Sequence, residues 1–411
     1  MTAPATPAPP PAPHLRRPRW GHRTSLWQFH QPAFWLFAIL LLLGLYNVIR
    51  EHALFLQVSP SGLALSWVLL ALYGIPVILL ILFLDLYERE PISLMVGAFL
   101  WGAVVATSAS GVANNGWGLV IEGLGDPTFA ARWTPALTAP WVEETMKGLG
   151  VVMIYLIARG EMDDIMDGLV YGALVGLGFA IYEDVFYFIG VFGGSVGGVL
   201  IGFFVRVIAS GLYGHILWTG LTGIGIAYFT SRRGEASLGR RLAIAIGLFV
   251  IGILGHFLWN SPLLDLFPSE LSDVGDYIQI VMAALVKGIP MLVFVVLMIG
   301  LARRREHRWL RHALASEVGR GGIDEDDLHV LESPSRRRRA RRDVAARGGP
   351  VAASTMRRLH REQINLAMIV TRVHDDSHPD LLRQREYCLS LREWLSRYRP
   401  SPPRGAQPAT T

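Results

Sequence analysis

The feature that most constrains this chain is a series of long apolar runs. A stretch of about 17 to 25 apolar residues is long enough to cross the hydrocarbon core of a bilayer as a helix. The chain has runs of this kind at residues 33–49, 62–85, 92–113, 137–158, 165–191, 197–230, 242–264 and 277–302. The sixth run is long and punctuated by glycine, so we expect its helix to be tilted or broken. The sequence therefore predicts an all-α, polytopic membrane bundle of about eight transmembrane helices.

The composition is typical of a membrane domain joined to polar terminal regions. The chain is 52% hydrophobic and only 17% charged, which is outside the range of typical soluble domains. Residues 1–30 are rich in proline and alanine, and we expect a disordered tail. We expect a transmembrane domain over 31–302 and a cytoplasmic, partly disordered, helical region over 303–411. In this last region apolar residues recur at helical spacing over 353–374 and 379–398, which predicts a helical hairpin.

Arginines in the short loops predict the orientation of the bundle, because basic residues accumulate on the cytoplasmic side. With eight crossings, one side of the membrane holds Arg16, Arg17, Arg19, Arg23, Arg89, Arg159, Arg232, Arg233, Arg240, Arg241, Arg303, Arg304 and Arg305. The loops on the other side hold Arg50 and Arg132. Both termini are therefore expected in the cytoplasm. The arginine run at 336–342 suits anionic lipid headgroups, and no nucleic acid is expected because no recognised motif accompanies it.

Several apolar runs contain polar or ionisable side chains that hydrocarbon disfavours. A charge at the centre of a bilayer costs about 2.5–3.5 kcal/mol on insertion scales, so such a residue is a functional candidate by default. The fourth to eighth runs contain Glu143, Glu144, Lys147, Glu183, Asp184, Arg206, His215, His256, Asn260 and Lys287. These side chains must therefore find partners within the bundle or lie outside the membrane.

The depth of each candidate can be estimated from the helical rise of 1.5 Å per residue. Measured from the cytoplasmic end of each run, about 22 to 26 Å separates that end from four residues: Glu144, Glu183, His215 and His256. This common level lies in the outer third of a hydrocarbon slab about 30 Å thick. The same estimate puts Arg206 near the outer surface, where we expect it to need no intramembrane partner. A shared level is what a single site requires.

Spacing within each helix indicates which side chains lie on the same face. Lys147 lies four residues after Glu143 and three after Glu144, so its ammonium can reach either carboxylate. His256 and Asn260 are four residues apart, and the amide can orient the imidazole or a substrate carbonyl.

Two further interpretations follow from the positions of these charges. The glutamates can instead be first-turn residues at the outer interface, where the helix dipole favours them. Lys287 either neutralises the carboxylates or extends towards the interface.

A set of glutamates and histidines at one level can activate water. Carboxylate and imidazole ligands suit a divalent transition metal such as Zn²⁺, with Glu183, His215 and His256 as the expected ligands. Glu143 or Glu144 then acts as the general base. A metal-free arrangement is equally consistent with the sequence: glutamate and histidine polarise the water directly, and an amide such as that of Asn260 stabilises the oxyanion. Both arrangements hydrolyse an amide bond.

Motifs on four consecutive runs carry a resemblance to a known family. They are Glu143-Glu144-x-x-Lys147, then Phe179-x-x-x-Glu183 at the end of MDGLVYGALVGLGFAIYED, then His215, then His256-x-x-x-Asn260. In this order they resemble the PrsW-type intramembrane metalloproteases, distant relatives of the CAAX-prenyl endopeptidase and bacteriocin-processing superfamily. The resemblance covers about residues 60–302.

The resemblance implies a function and an active site. It implies site-1-type cleavage of membrane-anchored proteins near the extracytoplasmic face of a bacterial plasma membrane, with an anti-sigma factor as the known sort of substrate. The active site would then consist of Glu143, Glu144, Glu183, His215 and His256. The wider superfamily has histidine where this chain has Glu183.

Two other functions would use the same residues. A proton- or ion-coupled transporter would use the glutamates and histidines as a relay, although the internal symmetry common in transporters is not evident. A catalytically inactive scaffold or sensor would place the function in the region after residue 303. We predict an intramembrane peptidase that acts on a membrane-anchored protein in the lipid bilayer; the sequence does not determine the oligomeric state.

Overall fold

The computed structural model describes residues 25–84, 90–209, 214–263, 274–320, 322–373 and 375–398. The chain divides into two compact units, one formed by Arg23–Ala302 and the other comprising the described residues from Arg303 onward. Residues 1–24, the larger part of the predicted disordered tail, lie outside the described residues.

The first unit is built from helices that follow the apolar runs. They are α1 (Pro32–Val58), α2 (Pro60–Leu84), α3 (Ile92–Leu124), α4 (Pro127–Ile157), α5 (Ile165–Val191), α6 (Val196–Ile208), α7 (His215–Ser231), α8 (Leu238–Asn260) and α9 (Val274–Ala315), of which residues 274–302 belong to this unit. Among the described residues, six helices are long and apolar enough to cross a membrane, namely α1, α2, α3, α5, α8 and α9. The prediction of an all-α, polytopic membrane bundle is confirmed. The fourth predicted run corresponds to the more polar α4, and the sixth to α6 and α7.

Helix α4 begins earlier than its hydropathy predicts. Asp126 caps its N-terminus by accepting a hydrogen bond from the backbone N–H of Thr128 at 3.1 Å, and Pro127 occupies the first turn. Glu143 therefore lies more than four turns, roughly 24 Å, inside the helix. The interpretation of Glu143 and Glu144 as first-turn residues is wrong.

The sixth run is broken, as expected. Helix α6 ends at Ile208 in a π-helical turn, and α7 begins at His215. Residues 210–213 lie outside the described residues. Because of this break, His215 is the first residue of its helix.

Close packing of α5 against α7 sets the position of His215. A Cβ on Gly176 would lie 2.3 Å from the backbone oxygen of His215, and one on Gly172 would lie 2.4 Å from that of Thr219. Only glycine allows the two backbones to approach this closely. Close packing of α5 against α7 therefore fixes the relative positions of Glu183 on α5 and His215 on α7.

The second unit contains the predicted helical hairpin. Its helices include α10 (Glu325–Leu331), α11 (Pro334–Arg372) and α12 (Pro379–Ser396). Helix α11 is kinked at Gly349, whose φ of 68° lies in the left-handed region, and the arginine run occupies the segment before the kink. The part of α11 after the kink and α12 correspond to the two predicted helices. Burial raises the pKa of the Cys388 thiol on α12, which makes a nucleophilic role unsuitable for it.

Candidate active site

Helices α4, α5, α7 and α8 bring together ionisable side chains that lie within the apolar runs of the sequence. We use the name acid–imidazole cluster for Glu143, Glu144, Lys147, Glu183, His215 and His256. Glu144 and Lys147 are completely buried, with 0% exposure, and Glu143 and His256 are 3% and 2% exposed. Buried charges of this kind require partners, and the contacts below supply them.

Glu144 is the most fully bonded member of the cluster. Its Oε1 atom lies 2.6 Å from Lys147 Nζ and 3.1 Å from His256 Nδ1. Its Oε2 atom accepts a hydrogen bond of 3.0 Å from the hydroxyl of Thr219 on α7. Glu144 therefore joins α4, α7 and α8, which suits it to a positioning role.

Glu143 is less heavily engaged. Its Oε1 atom accepts a hydrogen bond of 3.0 Å from the amide of Asn114 on α3. Its Oε2 atom lies 3.5 Å from Lys147 Nζ and 3.9 Å from His256 Nε2. Of the two adjacent glutamates, Glu143 is the one with an oxygen whose contacts with other described residues are all long.

His215 has a partner at each ring nitrogen. Nδ1 lies 2.8 Å from Lys147 Nζ, and Nε2 lies 3.0 Å from Oε2 of Glu183. An ammonium group can only donate, so Nδ1 is the acceptor and the Nε2–H group donates to Glu183. Glu183, on α5, thus orients the imidazole.

Arg206 neutralises the carboxylates at this edge of the cluster. Its guanidinium forms ion pairs of 2.6 Å with both Glu183 and Asp184, and it stacks 3.7 Å above the Tyr187 ring. The prediction that Arg206 needs no intramembrane partner is wrong. The estimate assumed one helix through the sixth run, but Arg206 belongs to the short α6 and packs against α5.

Aromatic rings enclose the imidazoles. The Trp218 ring stacks on His256 at 4.2 Å with 12° between the planes, and the Phe179 ring lies 4.9 Å from that of His215. Lys147 Nζ is 4.1 Å from the centre of the Phe179 ring. These contacts restrict the planes of both imidazoles.

Two predicted residues lie at the rim rather than in the cluster. The Asn260 amide donates to the backbone oxygen of Pro135 at 3.2 Å, so it ties the end of α8 to α4 instead of orienting His256. Lys287 Nζ donates to the carbonyl oxygens of Ser261 at 2.9 Å and Trp259 at 3.3 Å. This ammonium therefore caps the C-terminus of α8, a role that neither interpretation from the sequence included.

The cap made by Lys287 gives a direct prediction. Lys287→Met removes a charged donor from two carbonyl groups, and we expect the free energy of unfolding to fall by about 1.5–3 kcal/mol. Thermal unfolding of the full chain in detergent micelles measures the change. Val286→Met, at the exposed neighbouring position, should unfold like the wild type. Equal unfolding temperatures for Lys287→Met and the wild type would contradict the capping role.

One group of side chains has the donors and spacing of a metal site. We call Glu143, His215 and His256 the central trio, because one potential ligand atom from each lies within 4.8 Å of the others. Each imidazole is also hydrogen-bonded to a carboxylate, His256 to Glu144 and His215 to Glu183. Histidines that bind zinc are commonly oriented in this way. A carboxylate and two imidazoles form a donor set that suits zinc. The residues fit such an ion once Lys147 Nζ gives up its contact with His215 Nδ1, because that nitrogen carries the lone pair of the ring.

The site differs from the predicted ligand set in one residue. Glu143, rather than Glu183, completes the trio with the two histidines. Glu183 contacts His215 but faces Arg206, which satisfies its charge.

Comparison with known proteins identifies the family. The sequence model described as PrsW family intramembrane metalloprotease matches residues 90–301, about half of the chain. The chain belongs to the PrsW family. The match includes every member of the acid–imidazole cluster, and the resemblance to the PrsW family inferred from the sequence is confirmed.

Individual relatives in the PrsW family match a shorter region. The chain is 31% identical over 106 residues to Protease PrsW of Bacillus subtilis (strain 168), which covers 26% of this chain and 45% of the relative. It is 33% identical over 103 residues to Protease PrsW of Geobacillus kaustophilus (strain HTA426), which covers 25% of this chain and 43% of the relative. The chain thus spans less than half the length of these curated PrsW relatives. No solved structure matches it.

Proposed function

We propose that the chain is an intramembrane peptidase that hydrolyses a peptide bond of membrane-anchored protein substrates at the central trio. The observation that carries the proposal is the convergence of Glu143, His215 and His256 from three helices of the bundle. Membership of a family of intramembrane metalloproteases supports the same chemistry. The two curated relatives are named as proteases.

The charge balance of the site supports a divalent cation as cofactor. With the carboxyl groups ionised and both histidines neutral, the charged groups around the trio in the described part of the chain are four carboxylates and two cations: Glu143, Glu144, Glu183 and Asp184 with Lys147 and Arg206. This leaves two negative charges in a region that disfavours uncompensated charge. One divalent ion offsets them, and we propose that Glu143, His215 and His256 would hold it. Zinc suits these ligands, and when bound it would supply Lewis-acid polarisation.

The residues of the chain then have separate tasks. Glu143 Oε2 makes only long contacts, so we assign Glu143 the acceptance of the proton that water loses during attack. Glu144 and Glu183 hold the imidazoles of His256 and His215 in place. Lys147 keeps a positive charge beside the adjacent glutamates, which allows both to be buried.

The location of the cleaved bond follows from the sequence-based orientation. The arginine distribution favours cytoplasmic termini in a multi-pass protein of the bacterial plasma membrane. With that orientation, the depth estimate places the cluster in the outer third of the membrane. We propose that the cut lies near the extracytoplasmic face of a single-span protein, of which an anti-sigma factor is one kind.

Reconstitution provides the test. The full chain is incorporated into liposomes with a panel of tagged single-span proteins, each carrying an extracytoplasmic domain, and the products are mapped by mass spectrometry. We expect cleavage of at least one member near the outer membrane boundary; the member cleaved fastest is called the reporter substrate below. Absence of cleavage across the panel, with folded protein in the liposomes, would overturn the proposal.

A further inference from the structure

Three buried side-chain oxygens without partners lie along the contact between α3 and α4. They are Ser110 Oγ, Asn114 Oδ1 and Thr134 Oγ1, and within the described ranges none has a hydrogen-bond partner. Buried polar atoms are nearly always satisfied, so a group of three in one place requires an explanation. Ser110 is only 1% exposed.

The unpaired serine departs from the behaviour of its helical neighbours. Hydroxyl groups inside helices usually bond to the carbonyl oxygen one turn earlier. On α4 this holds for Thr138, which donates to Thr134 at 2.9 Å, and for Thr145, which donates to Trp141 at 2.6 Å. Ser110 follows the π-helical turn of α3 and lacks such a bond among the described residues. Its hydroxyl is therefore buried with its hydrogen-bonding capacity unused, and it can bond to a group that enters between α3 and α4.

The three residues are linked to Glu143 by helical spacing and by two contacts between α3 and α4. Ser110, Asn114 and Gly118 are spaced by four residues and share one face of α3. Thr134 lies beside Gly118, because a Cβ on that glycine would be 3.6 Å from Thr134 Cγ2. Asn114, in the middle, donates to Glu143 at 3.0 Å. From Ser110 to Gly118 the helix rises roughly 12 Å, the length of about three to four residues of extended chain.

A protease cleaves a peptide bond in an extended segment, so a substrate helix must unwind locally within the membrane. Backbone N–H and C=O groups released from a substrate helix find no water in hydrocarbon and need partners from the enzyme. Hydroxyl groups can both accept from N–H and donate to C=O, and an amide oxygen can accept. The unpaired atoms next to Glu143 have the required chemistry.

We propose that Ser110, Asn114 and Thr134 form a substrate ledge that hydrogen-bonds the unwound backbone of a substrate beside Glu143. This inference rests on the proposed peptidase function and adds the site that holds the scissile segment. The ligand class is an extended peptide backbone, recognised largely without regard to its side chains. The ledge consists of Ser110 and Asn114 on α3 and Thr134 on α4, and none of them is a member of the acid–imidazole cluster.

Steady-state cleavage of the reporter substrate by the full chain in detergent–lipid micelles tests the ledge. Ser110→Ala and Thr134→Val each remove one hydroxyl, and we expect KM to rise about two- to tenfold with kcat nearly unchanged. Asn114→Ala also removes the contact with Glu143 and should lower kcat as well. Asn115→Ala, at the adjacent exposed position of α3, is the matched control and should leave both constants unchanged.

Thermal unfolding separates binding from a structural role. Removing an unpaired buried hydroxyl should leave the unfolding temperature of Ser110→Ala unchanged or higher. An unchanged KM in both Ser110→Ala and Thr134→Val would overturn the ledge while leaving the peptidase proposal intact. A lower unfolding temperature with unchanged KM would also overturn it, in favour of a packing role. If the wild type cleaves no panel member, the peptidase proposal fails and the ledge fails with it.

Discussion

Glu143→Gln should reduce cleavage of the reporter substrate by at least about 10²- to 10⁴-fold, because it removes the proposed proton acceptor and also a carboxylate ligand of the proposed ion. The amide has nearly the same volume as the carboxylate but cannot accept the proton of an attacking water. Asn114 contacts Oε1 of Glu143 and Lys147 contacts Oε2, and a glutamine keeps one acceptor oxygen at this position. The folded state should therefore survive the substitution, with an unfolding temperature close to that of the wild type.

Two variants serve as controls for this effect. Glu144→Gln disturbs the contacts with Lys147, Thr219 and His256, so it should lower the unfolding temperature as well as the rate. Glu122→Gln changes an exposed glutamate of the same unit and should cleave normally. Wild-type cleavage by Glu143→Gln would contradict the assignment of the proton acceptor, whatever the behaviour of Glu144→Gln.

Arg206→Met should cause the largest loss of stability in the bundle. The guanidinium contacts both Glu183 and Asp184 at 2.6 Å, and its removal leaves two enclosed carboxylates without compensation. Breaking a buried ion pair by removing one partner costs about 3–5 kcal/mol. Because Glu183 also holds His215, we expect cleavage to fall together with the unfolding temperature measured in detergent micelles.

Companion substitutions separate charge from packing at this position. Arg206→Lys keeps the charge, but an ammonium lacks the separate guanidinium nitrogens that contact Glu183 and Asp184. The stability of this variant should therefore lie between those of the wild type and Arg206→Met. Adding Asp184→Asn to Arg206→Met removes one uncompensated charge and should recover part of the lost stability. A wild-type unfolding temperature for Arg206→Met would contradict the role of Arg206 as counter-ion.

The acidic and imidazole residues were predictable because hydrocarbon disfavours them. A glutamate or histidine inside an apolar run needs a partner, and the common depth of Glu144, Glu183, His215 and His256 indicated a shared one. Helix tilt changes each estimated depth by several ångströms, which is too little to remove the agreement among the four residues. Depth estimates do not determine which carboxylate faces which imidazole, since that depends on the rotation of each helix about its axis. The exchange of Glu143 for Glu183 in the central trio follows from this limit.

Other residues of the site gave no signal in the sequence. Trp218, Thr219 and Asn114 are neutral, and such side chains occur in membrane helices for many reasons. Their roles depend on contacts with other helices, such as the stacking of Trp218 on His256.

Two predictions were wrong for physical reasons, namely the start of α4 and the depth of Arg206. Residues 127–136 of α4 are too polar to register as an apolar run, although Asp126 and Pro127 form a good helix start. Arg206 was assigned a depth along one straight helix, whereas the chain breaks between Ile208 and His215. Distances measured along the sequence do not add across such a break.

Metal analysis of the purified full chain tests the central trio most directly. We predict about one tightly bound divalent cation per chain, zinc in the first instance, in the wild type and in Glu122→Gln. His256→Ala and Glu143→Gln should lose the ion, and a chelator should abolish cleavage by the wild type until zinc is returned. A wild-type preparation that cleaves the reporter substrate while containing only trace divalent metal would contradict a metal centre at Glu143, His215 and His256.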